Sequence, residues 1–127
     1  EEAKVKISGI VRTCYVKLKN RQYPIADLAL NVVISKLPSG YTKTTPQHVK
    51  AARQLQSNGA DVRAGDIIYF VKVKGPTGVR PIKQANINEI DVDKYKDQLK
   101  STFEQVLDAL GIEFHEIMGY ARLDAFY

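Results

Sequence analysis

Lysines, small hydroxyls and aromatic rings crowd the stretch from Ser35 to Leu55. It reads Ser35-Lys36-Leu37, Pro38-Ser39-Gly40, Tyr41, then Lys43-Thr44-Thr45-Pro46-Gln47-His48-Val49-Lys50, with Arg53 following. Each type can hold a phosphate oxygen: a hydroxyl or backbone N–H as a neutral donor, lysine or arginine as a charge, a helix start through its dipole. Nothing there resembles the Arg/Asn/Gln array of a helix that reads base edges, so the chemistry suits the sugar–phosphate backbone of a duplex.

Catalytic constellations are missing. GPTGVRP at 75–81 lacks the spacing and the Lys-Ser/Thr of a phosphate loop. Cys14 sits at an apolar helical position and reads as a buried, inert thiol. Asp91 and Asp93 read as partners of a helix dipole rather than a metal diad, and His115 as a surface or half-buried residue. Two distant histidines and one cysteine do not supply the ligand spacing of a zinc site. No cofactor is expected in this segment.

The composition sets further bounds. The chain has 127 residues, 44% of them hydrophobic and 26% charged, which fits one folded domain or a subdomain of something larger. No stretch approaches the ~20 apolar residues of a membrane span, and no signal peptide is visible, because Lys6, Ser8 and Gly9 break the first apolar run. A cytoplasmic setting is the expectation. The net charge of +5 is uneven: residues 1–82 carry 14 Lys and Arg against five acids, and residues 83–127 carry five against nine. A basic front suggests one surface that meets a polyanion; the bland alternative is a dipolar, solvated surface.

These groups need a frame, and the periodicities supply one. Ile7, Ile10, Val11, Cys14 and Leu18 predict a helix over residues 1–21. It has no N-cap before Glu1, as expected of a piece cut from a longer polypeptide. A short helix over 24–30 begins at Pro24, an extended run covers 31–37, and 38–40 forms a loop. Thr45 as N-cap and Pro46 as first helical residue start a helix that runs to Ser57 and stops at Asn58-Gly59. Alternation over 66–74 puts Ile67, Tyr69, Val71 and Val73 on one strand face and Phe70, Lys72 and Lys74 on a solvated one. Residues 79–82 return as its hairpin partner. Val92, Tyr95, Leu99, Phe103, Val106 and Leu110 predict the longest helix, and 113–118 a short last one. The class is α+β, mainly helical, with a small antiparallel hairpin or sheet.

In this frame the block SKLPSGYTKTTPQHVKAARQL resembles the thumb of the family B DNA polymerases, whose pattern is (Thr/Ser)-(Lys/Arg)-x-Leu, a Tyr, then Pro-His-Val-x-x-Ala-x-x-Leu. Gln47 departs from it by separating Pro46 from His48. Residues 62–71 are similar to the family's Gly-x-x-Ile-x-Tyr-(Ile/Val) strand, and DVDKYKDQLKSTFEQVLDALGI resembles its long thumb helix. The likeness runs in order from about Val11 to the C-terminus and points to archaeal replicative members.

The resemblance implies a thumb over residues 1–119 that grips double-stranded primer–template DNA behind an active site lying elsewhere. The palm is the implied partner; its carboxylates, and the Mg2+ they hold, lie upstream. Ser35, Lys36, Tyr41, Thr44 and His48 are the implied DNA-side residues, and charge alone adds Lys43, Lys50 and Arg53. For Tyr41 and His48 a second role stays open, as residues that pack the loop on the helix base. Residues 120–127 resemble a C-terminal sliding-clamp motif, Gln-x-x-Leu-x-x-aromatic-aromatic, with Leu123, Phe126 and Tyr127 as prongs and Tyr120 in place of Gln. A terminal turn folded onto its own domain is the alternative there. Two other classes stay open for the whole chain: a separately encoded small subunit of a split polymerase, and a non-enzymatic basic protein-interaction domain.

Overall fold

The computed structural model describes residues 2–123. In chain order these form α1 (Glu2–Lys19), β1 (Leu30–Val33), α2 (Gln47–Ser57), β2 (Ile67–Lys72), β3 (Val79–Pro81), α3 (Val92–Ala109) and α4 (Phe114–Ala121). Short 3-10 turns lie at Ile25–Leu28, Pro38–Gly40, Ile82–Gln84 and Ile87–Glu89. The class is α+β and mainly helical, as the periodicities predict. Among the described residues no helix is long and apolar enough to cross a membrane. Two compact units result: residues 2–22 with 92–123, and Tyr23–Asp91.

In the first unit α1, α3 and α4 close around Val11, Tyr15, Leu107, Phe114, Ile117 and Leu123. Three expected core positions are corrected. Ile10 is 61% exposed, and Tyr15, one helical step beyond Val11, is buried in its place. On α3 Val106 and Leu110 face solvent, while Tyr95, Leu99, Phe103 and Leu107 form the inward row. That row advances by four residues, so it drifts slowly around the helix and meets α4 at Leu107. Cys14 is half-buried rather than enclosed. Gly111 ends α3 at φ +72, where Ile112 N–H bonds back to Leu107 O and the Ile112 side chain joins the core.

The second unit is an antiparallel sheet in the order β1-β2-β3 with α2 laid across one face. Leu30 pairs with Phe70, Val32 with Ile68 and Lys72 with Val79, so these side chains share a face. Ile68, Phe70 and Val79 bury there against Val49, Ala51 and Ala52 of α2. The expected strand face is therefore reversed at its start: Ile67 and Tyr69 are about half exposed, at 51% and 48%. Five successive apolar residues allow either register of burial. The short face of α2 selects Ile68 and Phe70, because only their side sits beneath it. Farther along, Val71 in β2 and Val73 just beyond it are buried as expected, with Val73 bridged to Ile90.

Helix boundaries also shift at α2. Pro46 is extended (ψ 158) and stands at the cap position, and its carbonyl accepts from Val49 and Lys50 N–H. Thr45 does not cap the helix. The reversed strand face has a direct test in denaturant unfolding. Ile68→Ala is expected to destabilise by about 2–5 kcal/mol and Ile67→Ala by about 0.5 kcal/mol or less; equal losses would restore the alternation read from sequence.

Candidate nucleic-acid interface

The bend between β1 and α2 carries the expected residues, and its anchors explain its shape. Ile34 is fully buried and pinned to the neighbouring turn: its N–H bonds Asp66 O at 2.9 Å and its carbonyl accepts from Gly65 N–H at 2.7 Å. Ser35 and Lys36 leave the sheet directly after that anchor and are exposed. Buried Pro38 then opens a single 3-10 turn that brings Tyr41 back beneath them.

Tyr41 and Ser35 meet through their hydroxyls at 3.0 Å, and Ser35 N–H donates to the same phenol oxygen at 3.3 Å. The Lys36 ammonium lies 4.8 Å from the centre of the Tyr41 ring and donates to Gly40 O at 3.5 Å. His48, on the first turn of α2, meets the same ring edge-on, with centroids 6.1 Å apart. The Ser35 hydroxyl bond, supported by the Ser35 and Lys36 backbone and the Lys36 charge, holds the phenol below its ordinary value of 10.0 against a smaller opposing effect of burial.

Arg53 has a different task. Its Nη2 donates to Pro38 O at 3.0 Å and Tyr41 O at 2.9 Å, and its Nη1 to Thr45 Oγ1 at 3.3 Å. One guanidinium on α2 thus clamps three points of the bend. Lys43 and Thr44 are exposed beyond Tyr41, and Lys50 is half-buried on α2. The structure brings Ser35, Lys36, Tyr41 and His48 together, places Lys43 and Thr44 on the same bend, and uses Arg53 to hold that bend's carbonyls.

Gly40 is a site residue that sequence reading takes for simple loop. A Cβ there would lie 3.3 Å from the Lys36 side chain, so its absence lets the lysine stem fold over Tyr41. A glycine four residues after a lysine and one before an aromatic was the available signal. No three of His, Cys, Asp and Glu converge on a metal position among the described residues.

Leu123 departs from the expected exposed prong. It is fully buried in the first unit's core, and Arg12 Nη1 donates to the carbonyls of Ala121 and Arg122 at 2.8 and 3.0 Å just before it. The physical reason is local: Arg122 adopts a left-handed conformation (φ 54) that turns the chain inward after α4. Phe126 and Tyr127 lie outside the described residues.

A family model described as DNA polymerase family B matches residues 1–110. The chain belongs to this family. Across its whole length it is 46% identical to DNA polymerase 1 of Saccharolobus solfataricus, covering 14% of that protein. To DNA polymerase 1 of Sulfurisphaera ohwakuensis it is 52% identical over 80% of the chain and 12% of the relative. It thus spans about one-seventh or less of these relatives. The solved family B DNA polymerase of the hyperthermophilic archaeon Pyrobaculum calidifontis superposes with a TM-score of 0.58 at 29% identity, over 68% of this chain and 12% of that one.

The Arg53 clamp yields a stability test. Arg53→Met keeps the stem and removes the three contacts, with an expected loss of about 1.5–3 kcal/mol in denaturant unfolding. Arg53→Lys is expected to recover little of it, since one ammonium cannot span the Pro38, Tyr41 and Thr45 acceptors together. Full recovery by lysine would show that charge alone matters.

Proposed function

We propose that the chain is the thumb of a DNA-directed DNA polymerase and grips the primer–template duplex by its backbone while nucleotidyl transfer proceeds elsewhere in the enzyme. The observation that carries this reading is the exposed Ser35–Lys36 step, held over Tyr41 and followed by exposed Lys43 and Thr44 on one braced bend. These donors suit phosphate oxygens, and no base-reading side-chain array lies among them. Charge supports the same face. Residues 23–91 hold nine lysines and arginines against five acids, whereas 1–22 and 92–127 together hold ten against nine. The relatives' names, DNA polymerase 1, give the reaction to which such a grip belongs.

The palm is then the covalent neighbour, and its metal-bound carboxylates do the chemistry. A sliding-clamp tether at the C-terminus belongs to this reading only with a structural cost, because Leu123 must leave its core before it can enter a partner's pocket. Leu123→Ala is accordingly expected to destabilise the first unit by about 2–5 kcal/mol in denaturant unfolding. A neutral effect would mean that the leucine is free to serve as a prong.

Duplex binding by the 127-residue chain is expected to be sequence-indifferent and to weaken with salt at a log–log slope of about −0.9 per phosphate neutralised. Lys36→Ala should weaken binding to unrelated duplexes alike and flatten that slope by about 1 in anisotropy titrations. Loss confined to particular sequences would overturn backbone gripping.

A further inference from the structure

We propose that Tyr41 is a positioning residue that presents the Ser35 hydroxyl and the Lys36 ammonium as one paired seat for a single phosphodiester. This inference rests on the duplex-gripping reading and deepens it by assigning the tyrosine a role that does not require contact with DNA.

Ser35 and Lys36 are adjacent just past the paired residues of β1, where the chain bends at Lys36. Strand pairing there no longer sets where the two side chains go. Tyr41 brings them together: its hydroxyl holds Ser35 Oγ and N–H at 3.0 and 3.3 Å, and its ring face holds the Lys36 ammonium at 4.8 Å. The Gly40 carbonyl accepts from the same ammonium at 3.5 Å, and the missing Cβ at Gly40 leaves room for the lysine stem. Tyr41 is itself immobilised, with Arg53 on its carbonyl and the His48 ring against its edge. A long lysine side chain otherwise loses considerable rotamer freedom on binding; a pre-set one loses less.

The seat should also respond to the charge on the phenol. Lys36 from the bend and His48 and Arg53 from α2 are the charged or titratable groups set against Tyr41. Ionisation places a negative charge beside the phosphate position and draws Lys36 toward the phenolate. The phenol ionises below its ordinary value, so this loss begins at a lower pH than ionisation of a free tyrosine would give. The sign is definite: the folded protein favours the phenolate, and it is duplex affinity that falls as pH rises.

The test measures binding of one non-specific duplex at fixed salt by the 127-residue chain. Wild type, Tyr41→Phe, Ser35→Ala and the double variant are compared, with thermal unfolding as a folding control. At neutral pH each single variant is expected to bind about three- to tenfold more weakly, the range of one lost hydrogen bond. The double variant should be no weaker than the singles, because Tyr41 acts through Ser35. As the pH is raised toward about 10, wild type should lose its advantage over Tyr41→Phe in step with the near-ultraviolet absorbance of phenolate.

Unchanged affinity in Tyr41→Phe at every pH would overturn the positioning role while the grip itself stands. Additive losses would also overturn it, by showing that Tyr41 touches the phosphate independently. If Tyr41→Phe fails to fold, the pH profiles of wild type and Ser35→Ala decide: the profile of Ser35→Ala should be the flatter, and equal pH sensitivity of the two would overturn the role. Absence of salt-sensitive duplex binding by wild type would instead overturn the reading on which the inference rests.

Discussion

One guanidinium holds the basic bend in shape. The bend from Ser35 to Thr45 has a single 3-10 turn of its own, so little local hydrogen bonding defines it. Arg53 reaches across from α2 and satisfies the carbonyls of Pro38 and Tyr41 and the hydroxyl of Thr45. Arginine suits this task because its donors are fixed in a plane and its charge persists at any accessible pH. A bend fixed in this way can keep Ser35 and Lys36 exposed without letting them wander. Rigid placement matters for phosphate contact, because ordering a mobile lysine on binding offsets much of the attraction it gains.

The fold also rearranges the charge that the linear sequence separates. A basic front and an acidic back suggest a protein with two poles. Instead α1, with its lysines, packs in one unit with the acidic α3 and α4, and Lys4 reaches Glu116 at 3.3 Å. That unit is close to neutral, and the surplus of positive charge falls mainly on the unit that bears the bend. Surface ion pairs of this kind contribute little stability. Their consequence lies in the charge balance, which leaves most of the positive excess on the unit that carries Ser35, Lys36, Lys43 and Thr44.

Much of the architecture was legible. Periodicity located the four α-helices of the described residues and the hairpin, because three- and four-residue spacing and β-branched alternation follow from the geometry of the backbone. Errors arose where apolar residues outnumber the seats available. At 67–71 each strand register offers an apolar face, and on α1 both Ile10 and Tyr15 could point inward. Only the partner element decides, and aromatic Tyr15 fills the space beside Val11 that the expected stripe left to Ile10.

The candidate site divides along the same line. The types and spacing of Ser35, Lys36, Tyr41 and His48 made them candidates for phosphate contact, since hydroxyls and ammonium groups in a short bend carry that capacity wherever the chain goes. Their mutual geometry was not legible, because contacts at 3–5 Å between residues five to fifteen positions apart depend on how β1, the turn and α2 meet. Leu123 shows the converse case: as text it is a motif residue, and as structure it is core, since a left-handed Arg122 turns it inward. Composition and spacing thus settled which groups are present and which elements bear them. Packing alone settled which face is buried, which cation braces and which is offered, because burial and hydrogen bonding are properties of neighbours in space.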